Sequence, residues 1–271
     1  MKNLIKPLVL IAACLPLTAL AHKQWIAPSK TVLNVDGWVT FDAASSTDPF
    51  VRDHNAARLD NLVITAPDGN TVTPENQAAG KVRATFDLQL KQAGTYKVAV
   101  VSSGIAASWD DNGKTKRWPP RGTQFTAEGF AKEVPADAKD LKVTQSLGRL
   151  ETFVTAGKPN DTALKPTGKG LELVPVTGFN DLYTGEPATF QFLLDGQPAG
   201  DVAVEVIADG TRYRNTVGEI ELKTGKDGRF TIKWPQAGLY WLSASVQDKN
   251  AEKPATERRS SYTASFEVLS P

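Results

Sequence analysis

Two histidines, His22 and His54, are the only ones in this chain, and the first sits where it can become a metal chelator. It follows Ala19-Leu20-Ala21, a small-x-small cleavage pattern at the end of an apolar stretch. A cut after Ala21 frees the α-amine of His22. That amine and Nδ1 of the same ring can close a six-membered chelate around one ion, and His54 can add a third nitrogen. Such a set suits Cu(II) or Ni(II), and the stability order of divalent ions favours copper at equal availability. Asp53 precedes His54 and Asp48 is close by, so either carboxylate could ligate or hold an imidazole from behind. An α-amine with an ordinary pKa of about 8 must lose its proton to bind, so affinity should weaken as pH falls.

The segment ahead of His22 reads as a secretory leader. Lys2 and Lys6 give a basic start, and the apolar run from Pro7 to Leu20 is too short to span a bilayer. A competing reading takes Ile11-Ala12-Ala13-Cys14 as a lipobox, with Cys14 lipidated and His22 internal; it would leave an unusually short leader, and cleavage after Ala21 is preferred. The expected location is the periplasm, with no membrane span in the mature chain. The leader carries Met1, Cys14 and two of the 31 basic residues, so the mature chain has neither Cys nor Met and balances 29 basic against 30 acidic residues. Disulfides are thereby excluded, and so are the soft sulfur ligands that favour Cu(I). A near-neutral chain without basic blocks is also a poor fit to nucleic acid, whose binding depends on many phosphate-neutralising cations.

The elements that must position the histidines are strands. Short β-rich runs such as "GWVTFDAA", "NLVITAPDG", "GTYKVAVVS", "ATFQFLL" and "LYWLSASV" recur between Gly and Pro, and many alternate with period two. No convincing amphipathic helix is present; "PADAKDLKV" is at best one turn. The class is all-β: two immunoglobulin-like β-sandwich domains in tandem after a cleaved signal peptide of residues 1–21. The polar stretch Gly157 to Gly170 separates an N-terminal domain of residues 22–160 from a C-terminal one of 171–271. The halves echo one another in Gln-Ala-Gly-x-Tyr, at Gln92–Tyr96 and Gln236–Tyr240, which suits a turn entering a late strand whose tyrosine packs on the core.

The mature start "AHKQWIAPS", with "LDNLVITAPDG", "GRLETFVTAG", "LELVPVTGFNDLYTGEPATFQFLLDGQPA" and "DGTRY", resembles an uncharacterised family of secreted bacterial proteins related to the periplasmic, NikM-like component of nickel uptake. The resemblance runs over essentially the whole mature chain. It implies a β-sandwich region followed by an immunoglobulin-like domain, an envelope location, a tie to transition-metal handling and an envelope metal transporter as partner. The chain departs from many such relatives where Gly178-Phe179 stands in place of His-Pro, so any ligand there is lost.

A second feature is the segment Ser102 to Gln124, which reads as a long polar loop bearing Trp109, Trp118 and the acids Asp110 and Asp111. Its tryptophans could stack on a sugar or dock a partner. The structural alternative, which is favoured, has one tryptophan plugging the sandwich end while the acids pair with Lys114, Lys116 and Arg117. "DDNG" lacks the spaced acids and closing Glu of a calcium loop. Trp25, Trp38, Trp234 and Trp241 read as core or interface packing. There is no G-x-S-x-G elbow and no mature cysteine nucleophile, so covalent catalysis has little support and the chain is not expected to be an enzyme. Three functions remain: a metal-binding protein using His22, His54 and Asp53; a secreted copper mono-oxygenase on the same nitrogens, in the histidine-brace arrangement; and a carbohydrate-binding or adhesion sandwich recognising its ligand through Trp109 and Trp118.

Overall fold

The structure is a computed structural model that describes residues 22–271; the leader expected over residues 1–21, with Cys14, lies outside them. In the N-terminal half the strands are β1 (Lys23–Pro28), β2 (Val32–Leu33), β3 (Trp38–Ser46), β4 (Asn55–Ala56), β5 (Leu62–Thr65), β6 (Thr71–Val72), β7 (Glu75–Ala79), β8 (Ala84–Gln89), β9 (Gly94–Asp111), β10 (Lys114–Trp118) and β11 (Lys139–Ala156). The C-terminal half adds β12 (Leu171–Pro175), β13 (Pro187–Leu194), β14 (Gln197–Pro198), β15 (Ala203–Ala208), β16 (Ile220–Lys223), β17 (Arg229–Lys233), β18 (Gly238–Asp248) and β19 (Glu257–Val268). The all-β class read from period-two alternation is the one observed. Among the described residues there is one α-helix, the short α1 (Ala127–Glu133).

These strands make three sheets. A large central sheet runs β16-β15-β18-β19-β11-β9-β5-β6, with β10 on β9 and β2 on β11. Its two halves are joined by parallel pairing of β11 with β19, from Thr144 opposite Glu257 to Thr152 opposite Ser265. A second sheet, β1-β3-β8-β7 with β4 on β3, packs on one face of the central sheet, and a third, β12-β13-β14 with β17 on β13, packs on the other. Neighbouring residues of β11 show this directly, because side chains alternate faces along a strand. Val154 and Leu150 belong to a core with Ile26, Phe41, Phe86 and Val98, whereas Phe153 belongs to one with Phe190, Phe192, Tyr262 and Phe266.

The stretch Gly157 to Gly170 is fastened to both cores. Asn160 Oδ1 accepts from the Thr95 backbone amide at 3.2 Å, Ala163 is buried, and Thr167 and Gly168 donate their amides to Glu172 at 2.8 Å each.

The repeated Gln-Ala-Gly-x-Tyr motif builds the same corner twice. Tyr96 Oη accepts from the Gln92 amide at 2.8 Å, and Tyr240 Oη donates to the Gln236 carbonyl at 2.8 Å. Both tyrosines are buried, each tying the turn before its strand to the core beneath it. The glycines open the corner: Gly94 sits at φ 135° and Gly238 at φ 138°, and a Cβ on Gly94 would lie 2.4 Å from Pro67.

Three expectations are corrected. The segment Ser102 to Gln124 is largely strand, because Asn112 and Gly113 adopt φ 54° and 80° and close β9 and β10 into a hairpin. The helix forms over Ala127–Glu133, capped by Thr126 Oγ1 accepting from the Gly129 amide at 3.1 Å, while "PADAKDLKV" is a turn entering β11. Trp38 stands half exposed at the start of β3, whereas Trp25, Trp234 and Trp241 are buried as expected.

A buried polar chain ties β11 to the other half. Arg149 reaches Glu151 and Glu172 at 3.2 Å each, and Tyr262 Oη donates to Glu151 at 2.8 Å. Burial holds the Glu151 carboxyl above the usual carboxylate range, against the pull of Arg149 and Lys97. A raised carboxylate favours folding while protonated, so its contribution is complete below the ordinary pKa and is lost as pH rises through the folded value. Glu151→Gln removes that ionisation. The melting temperature of the variant minus that of the wild type should therefore climb as pH rises from 4 to 8, and a constant difference would show that folding leaves the Glu151 pKa unshifted.

Candidate metal site

The two histidines meet. The rings of His22 and His54 stack with centroids 3.7 Å apart and planes 22° from parallel, and both residues are exposed. The sheet explains why residues 32 apart in sequence come together. β1 pairs with one side of β3, Lys23 opposite Ser46, and β4 pairs with the other, Asn55 opposite Ser45. Each histidine is thus the residue just beyond the last rung, on either side of the same strand end. Their chains lie roughly 10 Å apart, two strand spacings, which side chains reaching inward can close.

The scaffold beneath is well anchored. Trp25 Nε1 donates to Ser46 Oγ at 2.8 Å, and Ser46 Oγ donates to the Asp48 carbonyl at 2.6 Å. Trp25 also packs on Phe50, and the Arg52 guanidinium lies 5.4 Å from its ring centre. Arg52 Nε reaches Asp42 at 3.1 Å, where Arg83 joins at 3.2 Å. Phe50 adopts φ 64°, a conformation costly for an aromatic residue, and its burial beside Trp25 holds the 47–54 loop in that shape. On the far side, Trp241 Nε1 donates to the Gln24 carbonyl at 2.8 Å, so β1 is clamped between the N-terminal sheet and β18.

Asp53, next to His54, is exposed in the loop that leads into β4. Its Oδ1 accepts from the Thr47 amide at 3.3 Å and shapes the loop. Among the described residues no three of His, Cys, Asp and Glu gather as a ready-made metal cage. The donors on hand are two imidazoles and, in a chain that starts at His22, its amine. Stacked face to face, the rings must turn to aim nitrogens at one ion, and their exposure leaves room for that rotation.

The tryptophan segment is a packed module. Trp109 is buried with Ala107, Val134, Val143 and Ala255, and Trp118 packs edge-on against Phe125 and Phe130. Asp111 pairs with Lys116 at 2.6 Å as expected, and Asp110 pairs with Lys139, a partner local sequence did not point to. Gly178-Phe179 is likewise structural: Phe179 stacks on Phe153 at 3.7 Å in a column with Phe266 and Phe190.

A family model described as "Domain of unknown function (DUF4198)" matches residues 19–248. The chain belongs to that family. No curated protein matches it. Among solved structures, the D0-D1 domain of intimin is 13% identical, with 89% of this chain and 96% of that one covered and a TM-score of 0.23. The Escherichia coli adhesin FdeC is 14% identical, with 93% and 64% covered and a TM-score of 0.25. Trypsin-activated alpha-2-macroglobulin from Escherichia coli is 10% identical, with 90% and 16% covered and a TM-score of 0.24. No helix among the described residues is long and apolar enough to cross a membrane.

Proposed function

We propose that this member of the DUF4198 family is a periplasmic protein that binds Cu(II) or Ni(II) and assists transition-metal uptake or homeostasis, in keeping with the NikM-like resemblance of its sequence. The observation that carries the reading is the meeting of His22 and His54, the only imidazoles in the chain, on adjoining ends of one sheet. The set is all nitrogen, which suits Cu(II) and Ni(II) and gives no grip to ions that want oxygen cages. The metal is cargo, delivered to or taken from an envelope transporter.

Titration of the mature chain with Cu(II) or Ni(II) tests this. One tight site is expected, with intact mass placing the first residue at His22. His54→Ala should weaken it by at least about tenfold, since it removes the donor that the fold holds beside the chelate. Equal affinities in wild type and variant would discard the reading.

One observation favours a second reading. A groove of about 660 Å³ runs from Gln24, two residues along β1 from His22, past Arg58, Asp60 and Gln124 to Thr263. A copper mono-oxygenase needs such a surface beside its metal. Reductant-dependent hydrogen peroxide production by the copper-loaded protein would move the assignment there.

A further inference from the structure

We infer that the histidine site is switched on by proteolysis: the precursor holds metal poorly, and cutting the Ala21–His22 bond creates the donor that makes the site tight. This inference rests on the metal-binding reading and adds its regulation.

The ligand inventory carries it. No carboxylate, thiol or further imidazole joins His22 and His54 among the described residues, so side chains alone supply two donors. After residue 21 the chain has no Cys or Met that could be recruited from elsewhere. The further nitrogen donor at hand is the backbone nitrogen of His22, and in the precursor that nitrogen is an amide. Its lone pair is delocalised into the carbonyl, which makes it a poor ligand as long as it keeps its proton. Hydrolysis adds one water across the bond, leaving a carboxylate on Ala21 and an amine on His22. The new amine and Nδ1 of the same residue can then close the six-membered ring.

Placement makes the effect specific to one residue. Lys23 opposite Ser46 is the outermost rung between β1 and β3, so His22 stands directly beyond an anchored pair rather than on a trailing end. The clamp on Gln24 by Trp241 and on Trp25 by Ser46 keeps the new terminus beside His54. A chain cut one residue later, at Lys23, has an amine but no imidazole on the same residue, and loses the chelate. Metal capture is thereby confined to chains that an exporting signal peptidase has already processed, which keeps the precursor from loading before export.

The test compares three forms of the 22–271 chain with Cu(II): one with a free amine at His22, one acetylated there, and one beginning at Lys23. Acetylation removes the donor while keeping both imidazoles and all of β1, and matching melting temperatures of the metal-free forms confirm that the fold is intact. The free-amine form should bind at least about a hundredfold more tightly than the acetylated form, and its electron paramagnetic resonance spectrum should show one more coordinated nitrogen. Equal affinity of the free and acetylated forms would overturn the switch and leave the metal-binding reading standing. Absence of binding by the free-amine form would instead overturn the proposed function, and the switch with it.

Discussion

Trp25→Ala should lower the stability of the protein by about 3–5 kcal/mol, the range for truncating a large aromatic in a core. Trp25 is fully buried and belongs to the cluster of Ala27, Ala44, Phe50, Ile207 and Trp241 that binds the N-terminal sheet to β15 and β18. Removing the indole opens a cavity and also strands Ser46 Oγ, which loses its donor. The consequence should reach the histidines, because Phe50, whose backbone is left-handed, packs its ring on Trp25. Chemical denaturation gives the stability loss. Cu(II) titration of the still-folded fraction should show a weaker site than in wild type, even though no ligand has been touched. A variant with unchanged stability would mean that β1 is held by its ladder with β3 alone.

Arg149→Leu should cost a similar amount, about 3–5 kcal/mol, by a different route. The guanidinium is nine-tenths buried and lies between Glu151 and Glu172, themselves almost wholly buried. It also donates to Thr167 Oγ1 at 3.0 Å. Replacing it with an apolar side chain takes the bridging counter-charge from two buried carboxylates and leaves Glu151 only the pull of Lys97, and the cost of a poorly compensated buried ion exceeds the modest net worth of the intact pair. The double variant Arg149→Leu/Glu151→Gln should recover part of the loss. Denaturation midpoints of the single and double variants measure the coupling, and strict additivity would show that Arg149 and Glu151 act independently.

The sequence made some of this legible and hid the rest, and the reasons are physical. Strand class could be read because alternation is local. The tyrosine corners could be read because five consecutive residues carry them. The pairing of His22 with His54 was legible only as a chemical argument from scarcity; the rungs that bring them together, Lys23 with Ser46 and Asn55 with Ser45, leave no local mark. The union of β11 with β19 was invisible for the same reason, since a parallel contact between residues more than a hundred apart has no turn to announce it. Asp53 was singled out because it adjoins His54, and the contact its carboxylate makes with the Thr47 amide is set by the course of the 47–54 loop, which leaves no local mark. Asn112-Gly113 did carry a signal: the pair, in a stretch that falls short of a calcium loop, is a hairpin turn of two left-handed residues. Trp109 and Trp118 were ambiguous because exposure depends on α1, whose seven residues are too few for a clear helical period.

The parallel seam between β11 and β19 has a mechanical consequence. Because both cores lean on one continuous sheet, severing the backbone anywhere in residues 157–170 should not release two pieces. A nicked molecule would migrate as a single particle until denaturant pulled the seam apart, and heating should give one melting event for the whole molecule rather than one for each half.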